Sequence, residues 1–218
     1  LLGEIATLRA AAAFGAGDTT AMMRWAADGM RQLRPEMQYA MGLATFFNIT
    51  GLQATGQPAA ASEVAHQQIA IHDQYPSLVL RVFLALCNVY YALADLSSLQ
   101  SAATLFELVA QRTGLGLSIA WATYAQSWLH YQRNELAQAE QRFRTLAASA
   151  SHGRAILDGA TGLSLTLLAQ GHPDQALAAV AALRNRLLER EMLALLPITE
   201  SLQQRILLHS AGPDLHYQ

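Results

Sequence analysis

Gly17-Asp18-Thr19-Thr20 is the first of five similar turns, and the spacing of these turns decides the fold of the chain. The other four are Gly56-Gln57-Pro58, Ala94-Asp95-Leu96-Ser97, Asn134-Glu135-Leu136-Ala137 and Gly171-His172-Pro173-Asp174. Anchored at positions 17, 56, 95, 134 and 171, the turns are 39, 39, 39 and 37 residues apart. A regular period of this length indicates a repeat architecture.

A second set of helix breakers lies between these turns, at Pro35, Pro76, Gly114 and Gly153. Their spacings are 41, 38 and 39 residues, so each repeat contains two elements. The segments between breaks are about fifteen to twenty residues long, which is too long for ordinary strands. They are rich in Ala, Leu, Gln, Glu and Arg, which favour helices.

Residues at the turns have the chemistry of helix ends. Asp18 and Asn134 are predicted N-caps, whose side-chain oxygens accept bonds from free amides. Pro58 and Pro173 suit a first helical turn, where no amide hydrogen is needed. The left-handed residue that ends a helix is commonly glycine, and we assign that role to Gly17, Gly56 and Gly171.

We therefore predict an all-α fold, a right-handed superhelix of about five tetratricopeptide-like helix pairs plus a terminal helix. The period exceeds the 34 residues of the standard tetratricopeptide repeat, but an alanine follows five residues after the turn, as from Gly56 to Ala61. One helical-repeat domain is expected over 1–218. Its pairs lie near 2–33, 37–74, 77–112, 116–151 and 154–190, with a last helix at 192–210.

Composition excludes several classes of function. The net charge is −2, which provides no basic footprint for nucleic acid. All fourteen basic residues are arginines, so Schiff-base chemistry and a Walker-type phosphate loop are excluded. No stretch is apolar enough for a membrane span, and no membrane partner is expected. The single cysteine, Cys87, lies in an apolar run and is expected to be a buried small hydrophobe, which fits a reducing cytoplasm.

Catalytic and metal-binding patterns are not found. The seven histidines are scattered, and Glu63-Val64-Ala65-His66 is a single copy of a motif that di-metal bundles need twice. Gly162-Leu163-Ser164-Leu165-Thr166 lacks the final glycine of a nucleophile elbow. We predict that the chain is not an enzyme, and that it holds no metal and no cofactor.

Two segments carry a family resemblance. They are Gly3-Glu4-Ile5-Ala6-Thr7-Leu8-Arg9-Ala10, running into Gly17-Asp18, and Tyr131-Gln132-Arg133-Asn134-Glu135-Leu136-Ala137-Gln138-Ala139-Glu140. Together with the long period, they resemble the helical region of MalT-type regulators, the large ATP-dependent members of the LuxR transcription-factor class.

The resemblance implies a function for the chain. Such regulators carry an ATP-binding domain before the helical repeats and a DNA-binding helix-turn-helix after them. The repeats bind a small-molecule inducer and couple it to self-association on DNA. Because Gly-x-x-x-x-Gly-Lys is absent and the chain opens on Leu1 within a helix, we expect a cytoplasmic effector-sensing and oligomerisation piece of a larger protein. ATP and DNA would bind only to the missing domains.

The resemblance also implies which positions face the concave groove. Counting each turn residue as position fifteen, the groove positions are two, five, nine, twelve and thirteen of the first helix, the last being Gln132 in the fourth pair. In the fourth pair, four of these positions are aromatic: Trp121, Tyr124, Trp128 and Tyr131. The second pair adds Phe46. The third pair gives Arg81, Asn88 and Tyr91 if Ala94 is the turn residue. If Asp95 is the turn residue, the same positions are Val82, Ala85, Val89 and Ala92.

Other interpretations compete with this one. An aromatic stripe at helical spacing is more often core than a binding site. Arg81 could be a solvated surface residue, and Asn88 a hydrogen-bonded buried amide. The alternative function is a tetratricopeptide-type scaffold that binds a peptide or a partner protein. An enzymatic helical toroid is a distant third, with Asp158 as its one candidate acid.

Overall fold

A computed structural model of the protein describes residues 1–148 and 153–210. That part of the chain contains eleven α-helices and no strand, which confirms the all-α prediction. The predicted end of the eighth helix at 151 lies outside the described residues. The helices are α1 (Leu2–Gly15), α2 (Thr19–Gln32), α3 (Gln38–Ala54), α4 (Pro58–Ile71), α5 (Pro76–Ala92), α6 (Leu96–Thr113), α7 (Gly116–Gln132), α8 (Leu136–Ala148), α9 (Gly153–Ala169), α10 (Pro173–Glu189) and α11 (Leu196–Ser210), the last preceded by a 3-10 turn at Leu193–Leu195.

The same hydrogen-bonded turn follows α1, α3, α5, α7, α9 and α10. In each, one residue has a positive φ, its amide donates to the carbonyl three residues back, and the next amide donates five residues back. This is the Schellman motif, which satisfies the free carbonyls at a helix C-terminus. The positive-φ residues are Gly17, Gly56, Ala94, Asn134, Gly171 and Glu191.

At these turns the structure decides between two alternatives that the sequence left open and corrects one prediction. Ala94, with a φ of 54°, occupies the left-handed position of the third turn, while Asp95 is the N-cap of α6. The Ala94 anchor is therefore the correct one, and Val82, Ala85 and Val89 are core residues. Asn134 is not an N-cap, because its φ of 59° places it in the left-handed position equivalent to Gly17.

The helix starts follow the local chemistry of their residues. The Asp18 carboxylate accepts a bond of 2.9 Å from the Ala21 amide, and Asp95 accepts one of 3.0 Å from Ser98. These bonds satisfy amides that the helix itself leaves free. Proline opens α4 and α10, as predicted, and also α5. Its fixed φ suits the first helical position.

The chain divides into two compact units, Leu1–Ala125 and Gln126–Gln218. In the first unit, α3 packs against α1, α2, α4 and α5, and α5 packs against α4 and α6. Phe83 of α5 stacks on Phe106 of α6, with ring centroids 6.1 Å apart. Helix α5 is therefore central to this unit. The prediction of a single domain over 1–218 stays a prediction.

In the second unit, α9 packs against α8, α10 and α11. Phe143 of α8 is fully buried and lies directly over Gly162 of α9, where any Cβ would collide with its ring. The surrounding core contains Leu163, Leu167 and Val180. Across residues 1–148 and 153–210, no helix is both long and apolar enough to cross a membrane.

Replacing Ala94 by glycine should stabilise the protein. An alanine in the left-handed region is strained by roughly 1–2 kcal/mol, and the greater freedom of glycine in the unfolded chain cancels part of that gain. We expect the free energy of unfolding in urea to rise by about 1 kcal/mol. Gly56→Ala is the matched control, since its φ is 77° and a Cβ there meets no atom within 4 Å. It should lower stability; a loss in both variants would contradict the assignment.

The Cys87 thiol should be unreactive in the folded protein. Its side chain is 2% exposed, and burial raises the pKa of Cys87 to about 12. At pH 8 we expect slow labelling by iodoacetamide when the chain is native and rapid labelling in urea, because the thiolate is the nucleophile. The folded state keeps a proton that the unfolded thiol loses near pH 9.0. Stability should therefore fall as the pH rises above that value, and Cys87→Ala should remove this dependence.

Candidate functional site

Arg81 lies in the second turn of α5 and is 7% exposed. One terminal nitrogen of its guanidinium donates a hydrogen bond of 2.7 Å to the Ser77 carbonyl oxygen, one helical turn earlier. Its Nε atom is buried and has no hydrogen-bond partner among the described residues. Buried polar atoms are nearly always hydrogen-bonded, so this nitrogen is an exception that requires an explanation.

Two aromatic rings contact the same guanidinium. Its Cζ atom lies 4.1 Å from the ring centroid of Tyr39 in α3 and 5.7 Å from that of Trp121 in α7. Both distances fall within the range of a cation–π interaction. The close approach of α3 to α5 depends on Gly42, where a Cβ would come within 2.9 Å of the Leu78 Cα atom and 3.2 Å of the Arg81 Cδ atom.

Within residues 1–148 and 153–210, no carboxylate forms an ion pair with Arg81. The ion pairs there include Leu1 with Glu4, Arg31 with Asp28, His130 with Glu135 and Arg144 with Glu140. Burial lowers the pKa of Arg81, and the neighbouring Tyr39 acts in the opposite direction. An arginine remains protonated under such a shift, so the site holds a buried positive charge.

The balance of energies marks this arrangement as unusual for a core. Removing a cation from water costs several kcal/mol even after the protein relaxes. Tyr39 is mostly exposed, so its ring contact contributes about 0.5–1 kcal/mol, and the bond to Ser77 contributes about 2 kcal/mol. The unpaired Nε adds a further cost of about 1–3 kcal/mol. An apolar side chain of similar volume would serve the stability of the fold at least as well.

The four aromatics predicted on α7 fall into different surroundings. Trp121 and Tyr124 are half-buried in the first unit, where Trp121 contacts Arg81. Trp128 and Tyr131 belong to the second unit and pack edge to face on each other, with centroids 5.3 Å apart. Trp128 also packs on Phe143 at 5.2 Å. The latter two therefore join the hydrophobic core of the second unit.

Phe46 lies in an aromatic cluster with Phe14 and Phe47, at centroid distances of 6.4 and 5.5 Å. This cluster packs on the core between α1, α2 and α3. Asn88 is half-buried and Tyr91 is 37% exposed, on the same helix as Arg81. Of the predicted effector residues, the structure thus brings Arg81 and Trp121 together. A role for the others in binding stays a prediction.

Sequence reasoning missed Tyr39, the closest ring to Arg81. Tyr39 lies four residues before Leu43, which is position two of its helix and the first groove position of the pair, so Tyr39 is outside the positions taken from the resemblance. Residues four apart share a helix face, so extending the stripe by one turn would have included it. Sequence reasoning also missed Tyr90. Its hydroxyl joins α5 to α4 by hydrogen bonds with the Ser62 hydroxyl, at 3.1 Å, and with Nε2 of His66, at 2.8 Å.

The second unit contains a cavity of about 390 Å³ between α8, α9 and α10. Its walls include Ile156, Leu163 and Leu183, with Arg144 and Arg186 among the lining residues. Both arginines have partners, since Arg144 pairs with Glu140 at 2.7 Å and Arg186 donates to the Ala147 carbonyl at 2.5 Å. None of the predicted effector residues lines this cavity. Arg81 differs from both arginines in its deeper burial and its unused Nε.

No protein-family model matches the sequence, and no curated protein sequence is similar to it. In the described residues, no three histidine, cysteine or acidic side chains come together in a way that could hold a metal ion. Arg81 between Tyr39 and Trp121 is the candidate site.

Trp128 and Trp121 should respond differently to truncation. Trp128→Ala removes a ring that packs on Phe143, so we expect the free energy of unfolding to fall by about 3 kcal/mol. Trp121→Ala removes a ring beside Arg81 and gives the guanidinium access to water, so its loss should be smaller. Urea unfolding followed by circular dichroism measures both values. Equal losses would show that Trp121 is as much a core residue as Trp128.

Proposed function

We propose that the chain is the effector-sensing and oligomerisation domain of a LuxR-class, MalT-type transcription activator, and that it binds a small-molecule inducer. The observation that carries this proposal is the buried guanidinium of Arg81, held by Tyr39 and Trp121 without an acidic partner. Groups that lower the stability of a fold are concentrated at functional sites, because a ligand repays their cost. The site has no nucleophile–base pair, which favours binding over catalysis.

The proposed architecture is a right-handed, tetratricopeptide-like superhelix of helix pairs. Two features of the first unit support it: α1, α3 and α5 pack against one another in succession, and each also packs on the helix that follows it. Successive first helices line the groove in such a fold. Arg81 and Trp121 both occupy position two of their first helices, the first of the groove positions, which is consistent with a shared binding face.

The remaining partners follow from the same proposal. The inducer would bind in the concave groove, ATP in a domain that precedes the helical repeats, and DNA in a helix-turn-helix that follows them. Self-association would involve the full-length protein in the cytoplasm. The competing candidate is a scaffold that binds a peptide or a partner protein along the same groove.

Sequencing the coding DNA on both sides of this chain tests the proposal directly. We expect an upstream Gly-x-x-x-x-Gly-Lys-Ser/Thr motif and a downstream helix-turn-helix. The first would supply the backbone amides and lysine that hold ATP phosphates, and the second would supply the DNA contacts. If an extended reading frame encodes neither domain, the regulator proposal is wrong and the protein-binding scaffold becomes the working model.

A further inference from the structure

We propose that the Arg81 site binds the anionic group of a small molecule, a carboxylate or a phosphate, and that Tyr39 moves aside to admit it. This inference rests on the proposed effector-sensing function and names the chemical class of the effector. It is carried by three observations on one residue: a charge that is 7% exposed, an unpaired buried Nε, and two contacts with ring faces.

The donors of Arg81 are largely unused. A guanidinium has five N–H groups, and the hydrogen bond to the Ser77 carbonyl uses one of them. The contact with the face of Trp121 uses none, because the ring interacts with the charge and not with a particular N–H bond, whereas Tyr39 is also a side-chain hydrogen-bond partner of the guanidinium. Nε and a terminal nitrogen of arginine form a fork that matches two oxygens of a carboxylate or phosphate.

A neutral ligand would satisfy only part of this site. An amide or hydroxyl oxygen could accept a bond from Nε, but it would leave the buried charge uncompensated. An anion supplies both the acceptor and the opposite charge. Their attraction is strong where rings exclude water. The absence of an acidic side chain on Arg81 within the described residues leaves this place for an external anion.

Access to the guanidinium depends on Tyr39. Its side chain is 65% exposed although its ring lies 4.1 Å from Cζ of Arg81. Tyr39 is in the first turn of α3, and because most of its side chain is exposed to solvent, its ring can rotate away from Arg81. The Trp121 ring is half-buried, and its centroid lies 5.7 Å from Cζ of Arg81, farther than that of Tyr39. Tyr39 is therefore the ring that an entering ligand displaces.

The test is isothermal titration of the 218-residue chain with three probes that share a phenyl ring: benzoate, phenyl phosphate and benzamide. Benzamide has the shape of benzoate but no charge. Ionic strength is kept constant with sodium chloride, so that a general salt effect is matched. We expect saturable binding of benzoate or phenyl phosphate, and the stronger of the two identifies the preferred anion. Benzamide should bind at least about tenfold more weakly, which is the loss expected for one charge-assisted bond.

Two variants locate the binding. Arg81→Met should reduce the affinity for the anion by at least about tenfold, and its melting temperature should be no lower than that of the parent chain, since it replaces a buried charge with an apolar side chain of similar length. Arg112→Met is the matched control, because Arg112 is an exposed arginine of the same unit. It should leave anion binding unchanged.

The outcomes separate this inference from the proposed function. Equal binding of benzamide and benzoate, undiminished binding by Arg81→Met, or no binding of either anion up to millimolar concentrations would each overturn the anion site. If the flanking sequences still encode the ATP-binding and DNA-binding domains, the sensor proposal survives such a result, and its effector is neutral or binds elsewhere. If those domains are absent while the anions bind through Arg81, the anion site is confirmed, but the protein has a function other than transcription activation.

Discussion

The left-handed residue that ends the first helix of each pair is the constraint on which the rest of the structure depends. It stops the helix at a fixed residue, and its own amide donates to the carbonyl three residues back while the next amide donates five residues back. Because a helix turns by a constant angle per residue, the position of its end fixes which side chains face the core. At the third turn this residue is Ala94. With the helix ending there, Val82, Ala85 and Val89 lie in the hydrophobic core, and Arg81 lies beside Tyr39.

The helical fold was predictable because its signals are local. Glycine and proline determine helix ends through the conformations that their own backbones permit. Their positions can therefore be read from a single sequence, as at Gly56, Pro58, Gly171 and Pro173. Ala94 was ambiguous for the same reason. Alanine carries no preference for the left-handed region, and its conformation is imposed by the bonds from its own amide to Tyr91 and from Asp95 to Tyr90. Only the structure can show that these bonds form.

The site was predictable in part, because it combines a repeated position with a tertiary contact. The spacing of the turns placed Arg81 and Trp121 at equivalent positions of neighbouring pairs, and the two do meet. The same spacing could not separate Trp121 from Trp128, since both lie on one stripe of α7. What separates them is the packing of Phe143 from another helix against Trp128. Tyr39 was missed because its contact with Arg81 joins residues distant in sequence.

Arg81 also shows why burial alone does not distinguish core from site. Leu78 and Leu80, close to it on α5, are fully buried and contribute to stability without any polar requirement. Arg81 is buried to a similar extent, yet its charge and its Nε both demand a partner that the described residues do not supply. A fold selected for stability alone would place an apolar residue there. We propose that a ligand bound only part of the time supplies the partner that this cation lacks among the described residues.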